Sequence, residues 1–242
     1  VNNQNIIVYD FETGSRYAWT TQPIQIAAVA IHPQKLEILE GGVFESLMKP
    51  LDDKEAIELG VDPIQDEALE VNKKTRKELK TAPKTSVVWK SFEKWVKTFN
   101  PKGNKWGRPV KAGFNNNRFD DIIVNRLCGE EPYNFGPYDT EYNQEEIFHP
   151  IHSIDVMKLC WYWFEGIDLP MRGMSLDALR EYFGLVSENT HDALVDVVDT
   201  AEILVRFMKL GRYCHNGLPK PDFTSVRFQN CVTRKGRMVK LP

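Results

Sequence analysis

Apolar positions along this chain fall into two periods. Three early segments read as strands: the run Ile6-Ile7-Val8-Tyr9, the run from Ile24 to Ile31, and residues 36–47, which follow a turn at Pro33. Their short connections predict an antiparallel meander. Beyond residue 60 the period lengthens. Residues 66–79 and 86–99 predict helices; in the second, Val88, Phe92, Trp95, Val96 and Phe99 recur at helical spacing. Ser86 suits an N-cap there, and Asn100-Pro101 a stop. A short strand over 110–114 leads into the polar turn Asn115-Asn116-Asn117. The next helix carries Phe119, Ile122, Ile123 and Leu127 on one side. Residues 129–150 form a long loop rich in Pro, Tyr and acids. Residues 151–155 predict a fifth strand. Helices follow at 156–164, at 175–183 with Gly184 as the stop, and at 191–210. The alternation predicts an α/β protein, a mixed five-stranded sheet flanked by helices. The domain would span 1–210, with an extension over 211–242.

Two groups of acids change this picture. Asp10 and Glu12 close the first strand, and residues two apart on a strand point to the same face. Two adjacent carboxylates that lose hydration repel each other, and a divalent cation taking carboxylate oxygens resolves the conflict. The last helix carries Asp192, Asp196 and Asp199 as an acidic stripe opposite Ala193, Leu194, Val197, Val198, Ala201 and Leu204. Asp192 and Asp199 read as a solvated face, and Asp192 also suits the helix dipole. Asp196 sits in mid-helix, where Asp has poor propensity and no capping role, so a specific task is expected of it. His191 lies about 140° around the helix from Asp196 by the 3.6-residue repeat, so the two do not share a face. It belongs on the lead-in turn, with Asn189 or Thr190 as N-cap. Asp120 and Asp121 both open the helix after the Asn turn, and spacing does not choose between them.

Composition bounds the class. The 242 residues are 42% hydrophobic and 27% charged, as in soluble globular proteins. No stretch approaches the roughly 18 apolar residues of a membrane span. The polar start, Val1 to Asn5, has no signal-peptide pattern, so a cytoplasmic location is expected. Cys128, Cys160, Cys214 and Cys231 are widely spaced and predict reduced thiols. The net charge of -3 conceals an asymmetry. Residues 211–242 hold seven Lys and Arg against Asp222, a charge of +6, which leaves -9 on residues 1–210. A basic tail on an acidic body suits either an anionic partner such as nucleic acid or a solvated surface.

Three segments together resemble a known family. Asp10-Phe11-Glu12-Thr13-Gly14, Gly113-Phe114-Asn115-Asn116-Asn117-Arg118-Phe119-Asp120 and His191-x-x-x-x-Asp196 occur in the order of the three motifs of the DEDD (DnaQ-like) 3′-5′ exonucleases. The histidine subtype, and the exonuclease I type within it, resembles the chain most. Ile154-Asp155-Val156-Met157 and His191-Asp192-Ala193-Leu194-Val195-Asp196 add to that likeness. The resemblance covers residues 5–210 and implies a ribonuclease-H-like fold. It implies that Asp10, Glu12, Asp120 and Asp196 hold two Mg²⁺ or Mn²⁺ ions, and it selects Asp120 over Asp121 because Asp120 follows Phe119. It implies that His191 is the general base. Backbone groups around Phe11, Thr13 and Gly14, with Asn72, Asn116 and Arg118, would hold the terminal nucleotide; Asn116 and Arg118 serve equally well as a turn residue and a surface cation. The implied activity is release of nucleoside 5′-monophosphates from the 3′ end of single-stranded DNA, with replication or repair partners. An exoribonuclease of the same fold and a catalytically silent nucleic-acid-binding module are the alternatives.

Overall fold

Five strands form one sheet in the order β3-β2-β1-β4-β5: β1 Ile6–Thr13, β2 Pro23–Ile31, β3 Ile38–Leu47, β4 Val110–Gly113 and β5 Ser153–Asp155. The computed structural model describes residues 4–128, 147–166, 168, 173–185, 191–217, 232–234 and 237–239. β1 pairs antiparallel with β2, and β2 with β3, as the short early connections predicted. β4 runs parallel to β1, and β5 parallel to β4, so the sheet is mixed. Within the sheet β1 is central, and all its residues but Asp10 are buried. That position accounts for its unbroken apolar run, since a strand covered on both faces has no polar side.

Among the described residues eight helices accompany the strands: α1 Asp53–Glu58, α2 Asp66–Val71, α3 Arg76–Thr81, α4 Thr85–Thr98, α5 Asp120–Leu127, α6 Val156–Phe164, α7 Leu176–Phe183 and α8 Ala193–Gly217. One face of the sheet packs under α4 and α5. Ile7, Tyr9 and Phe11 of β1 share a core with Val88, Phe92 and Val96 of α4 and Ile123, Val124 and Leu127 of α5. These are the odd positions of β1. The strand's period of two therefore turns Asp10 and Glu12 to the opposite face.

By its contacts the chain divides into two units, Val1–Leu204 and Val205–Pro242. The first holds the sheet and α1 to α7. The second holds the later turns of α8 and a two-stranded antiparallel pair, β6 Val232–Arg234 and β7 Arg237–Val239. That pair was not anticipated within the 211–242 extension.

Other departures have local causes. The helix expected over 66–79 is two helices. Asn72 caps α2, Lys73 takes a left-handed backbone (φ 53), and Thr75 restarts the chain with a capping box to Glu78. α1 was not anticipated; Asp52 caps it by accepting from the Glu55 amide. Ser86 lies inside the first turn of α4, whose cap position is Lys84. Ser175 caps α7, and Gly184 ends it with a left-handed backbone (φ 65). Asp155 ends β5 and caps α6. Most of the loop expected over 129–150, and the proposed caps Asn189 and Thr190, lie outside the described residues. Cys160 is buried, and burial pushes its thiol up to about 12; Cys231 and the side chain of Cys214 lie outside the described residues. Among the described residues no helix is long and apolar enough to cross a membrane.

Candidate active site

Three carboxylates from two distant segments meet beside the sheet. Asp10 and Glu12 come from the end of β1 and Asp196 from the first turn of α8. Each offers one oxygen, and these oxygens all lie within 4.8 Å of one another. The start of α8 sets Asp196. The Asp192 carbonyl accepts from the Asp196 amide at 3.0 Å, and Asp192 Oδ1 accepts from the Leu194 amide at 3.2 Å. Asp192, and not Asn189 or Thr190, is thus the side-chain cap of this helix. His191 precedes it in a left-handed backbone (φ 66), is exposed, and donates its amide to Asp196 Oδ1 at 3.3 Å. His191 lies outside the helix, so the helical spacing does not apply to it. The backbone couples it to Asp196.

The pocket is short of positive charge. Burial, then repulsion from Asp120, Glu12 and Asp196, holds the Asp10 carboxyl well above the usual range against the pull of Arg180. Burial and Asp196 push Glu12 up to about 7, although Lys74 opposes them. Burial pushes Asp120 up to about 8, against a 3.1 Å hydrogen bond from the Phe11 amide. Crowded, desolvated carboxylate oxygens are the donor set that a hard divalent cation takes, and such a cation would relieve the repulsion. Asp10, Glu12 and Asp196 therefore fit a metal ion. Asp120 borders this group electrically, but it is not among the three whose oxygens converge; its Oδ1 is turned to Phe11.

The neighbouring residue Asp121 has a different setting. It accepts from the Tyr9 hydroxyl, from Lys111 Nζ at 2.9 Å and from Asn116 Nδ2 at 3.3 Å. The two acids that sequence spacing could not tell apart are thus separated by their partners: Asp121 is locked into a buried network, and Asp120 accepts from the Phe11 amide and repels Asp10.

The solvated acidic face expected for Asp192 and Asp199 is not observed. Asp199 is buried and accepts from Arg180 Nε at 2.7 Å. The same guanidinium donates to Asp196 Oδ1 at 2.6 Å and to Asp177 Oδ1 at 2.7 Å. Burial works against the Arg180 charge, but Asp199, Asp196 and Asp177 outweigh it and raise its pKa. Asp192 is held by Lys74 Nζ at 2.8 Å and by Gln25 Nε2 at 3.4 Å. Its burial opposes ionisation, yet Lys74 and Gln25 keep its carboxyl below the usual range. Arg180 and Lys74 were not singled out from the sequence. Only the Asp177/Arg180 spacing of three, a helical ion-pair distance, offered a signal.

The residues expected to hold a nucleotide are placed as follows. Phe11 is a core side chain, edge-on to Tyr9. Thr13 donates its hydroxyl to the Ser15 carbonyl, and its own carbonyl accepts from Asn72 Nδ2 at 3.0 Å. A Cβ on Gly14 would fall 2.1 Å from Ile64 Cδ1, so the turn after β1 fits closely under Ile64. Asn116 is fully buried, while Arg118 is exposed. Thr13, Gly14 and Asn72 border the acids, whereas the Asn116 amide is turned to Asp121 in the core.

Comparison with known proteins adds to this geometry. Residues 7–105 match the RNase_T exonuclease family. No curated protein matches the chain. Among solved structures, Escherichia coli exonuclease I in complex with a dT13 oligonucleotide superposes with a TM-score of 0.63 at 19% identity, covering 92% of this chain and 46% of that one. Exonuclease I from Methylocaldum szegediense gives 0.61 at 22%, covering 88% and 42%. An ExoI/SSB-Ct complex gives 0.61 at 17%, covering 87% and 42%. The chain spans less than half the length of these solved chains, and at such identity the likeness speaks for the fold. The chain thus carries an RNase_T exonuclease match over residues 7–105 and shares its α/β architecture with bacterial exonuclease I.

Proposed function

We propose that this chain is a metal-dependent 3′-5′ exonuclease that releases nucleoside 5′-monophosphates from single-stranded DNA. The supporting observation is the convergence of Asp10, Glu12 and Asp196 within 4.8 Å, in a pocket whose acids are too crowded to be ionised together unaided. The family match over the β1 segment and the fold shared with exonuclease I, which is described bound to dT13, support the same reading.

Asp10, Glu12 and Asp196 would hold a divalent cation, with Asp120 at its border completing a site for a pair. Bound Mg²⁺ or Mn²⁺ would supply charge at the scissile phosphate and acidify the attacking water. The other steps fall to the protein. His191, exposed on the turn before α8, takes the proton of that water; an imidazole suits this near neutral pH. The backbone from Phe11 to Gly14, at the end of β1 beside Glu12, positions the terminal nucleotide together with Asn72, while Arg118 contacts its phosphates. Residues 211–242, with their charge of +6, would add salt-dependent affinity for the anionic strand.

The test is digestion of 5′-labelled single-stranded DNA and RNA of one sequence, side by side, with Mg²⁺, Mn²⁺ or EDTA. The proposal expects a ladder shortening from the 3′ end of DNA, none with EDTA, and none from Asp10→Ala or Asp196→Ala. His191→Ala should slow cleavage by roughly 10²–10⁴, the usual worth of a general base. Faster shortening of RNA would make the chain an exoribonuclease. Binding without shortening under every condition would overturn the enzymatic reading.

A further inference from the structure

Asp192, the helix cap beside His191, lies in a network that the exonuclease reading does not use. Its Oδ2 receives Lys74 Nζ at 2.8 Å and Gln25 Nε2 at 3.4 Å, while its Oδ1 caps Leu194. Both donors of Oδ2 come from elements tied to Glu12. Gln25 is the β2 residue directly opposite Glu12 in the β1-β2 register, and it is almost fully buried. Gln25 also donates to Glu45 Oε1 at 2.9 Å, which anchors it toward β3. Lys74 lies within the break between α2 and α3. Two residues earlier, Asn72 donates to the carbonyl of Thr13, the residue after Glu12. The left-handed backbone at Lys73 turns the chain between these two contacts.

The geometry points to Lys74 as a positioning residue. We infer that the Lys74–Asp192 bridge, backed by Gln25, fixes the start of α8 against the strand end carrying Glu12, and so sets where His191 stands over the acid pocket. The inference rests on the reading of His191 as the base. The physical need is plain. His191 is exposed and in a left-handed backbone, and its one described hydrogen bond is its amide to Asp196. Its aim therefore depends on the residue that follows it. Asp192 has contacts on both carboxylate oxygens, and its ion pair is largely shielded from water, with side chains 14% and 26% exposed. A bridge so shielded holds geometry better than a solvated one, where screening and side-chain entropy consume the gain. The chain supplies the anchor from a site 118 residues away, at the point where a continuous helix over 66–79 would have carried Lys74 elsewhere.

The experiment compares wild type with Lys74→Met, Asp192→Asn, the double variant and Lys74→Arg. Each is assayed for kcat and KM on single-stranded DNA at saturating Mn²⁺, and for amide hydrogen exchange over residues 191–196. A displaced catalytic group costs rate more than binding, so Lys74→Met should lower kcat roughly tenfold or more with KM within about twofold. The double variant should be no slower than the worse single variant, because both remove one bond. Lys74→Arg should recover most of the rate, and exchange at 191–196 should quicken in Lys74→Met and not in Lys74→Arg. A raised KM at unchanged kcat would make Lys74 a substrate contact and overturn the inference, as would unchanged exchange. If wild type is inactive, the exonuclease reading fails, and exchange alone then decides whether the bridge holds the His191 turn. Should Lys74→Met not fold, Lys74→Gln carries the same comparison.

Discussion

Asp196 and Asp199 stand three residues apart on α8 and show two ways of burying acids. On the Asp199 side, Arg180 reaches Asp199, Asp196 and Asp177 with separate nitrogens, and the charges are satisfied within the chain. On the other side, Asp196 meets Asp10 and Glu12, and the carboxyls of Asp10, Glu12 and Asp120 stay above their usual range. Lys74 and Arg180 relieve that pocket only in part. Where acids serve to join helices, the sequence provides the cation. Where they do not, the fold leaves a deficit that a cation from solution can fill. Asp196 belongs to both settings, which makes it the hinge of the comparison.

Breaking the two sides should move stability in opposite directions. Arg180→Met strands buried carboxylates, and losing one partner of a buried pair typically costs about 3–5 kcal/mol. Urea unfolding of the metal-free protein should show a loss of that size. Asp10→Asn removes a buried, repelled charge and should raise metal-free stability by about 1–2 kcal/mol while abolishing cleavage. If both variants shift the urea midpoint the same way, the two regions do not differ as described.

The pH dependence sharpens the contrast with a smaller effect. Glu12 is raised to about 7 and Asp120 to about 8, from ordinary values near 4 in the unfolded chain. Between about pH 4 and 8 the folded state therefore binds more protons than the unfolded one. Stability is greatest below that window and declines as pH rises through it. The metal-free melting temperature should fall by several degrees from pH 5 to pH 8. Saturating Mn²⁺ should oppose the fall most strongly at the upper end, because the cation favours the ionised carboxylates. A flat metal-free profile would remove the deficit on which the comparison stands.

Much of this was legible in the residues, and the rest was not for a definable reason. The period of two on β1 places Asp10 and Glu12 on one face, and the structure turns both away from the Tyr9–Phe92 core. Asp196 was marked by an expected misfit in mid-helix, yet it stands in the first turn of α8, where an acid suits the helix dipole, so that local clue was mistaken. Asp192 and Asp199 were misread as a solvated face because their partners come from elsewhere, Lys74 118 residues away and Arg180 on another helix. Helical periodicity reports the face a residue occupies and is silent on what another element brings to that face. The break within 66–79 was hidden for the same reason: Asn72 bonds to Thr13, 59 residues earlier. The strand period placed Asp10 and Glu12, and only the fold revealed the cations that hold the acids of α8.

The most direct measurement is anomalous scattering from a crystal of this protein soaked in Mn²⁺ at pH 8. A manganese peak coordinated by Asp10, Glu12 and Asp196, with a second touching Asp120, is the expected result. An intact fold with these four carboxylates in place and no manganese among them would contradict the account.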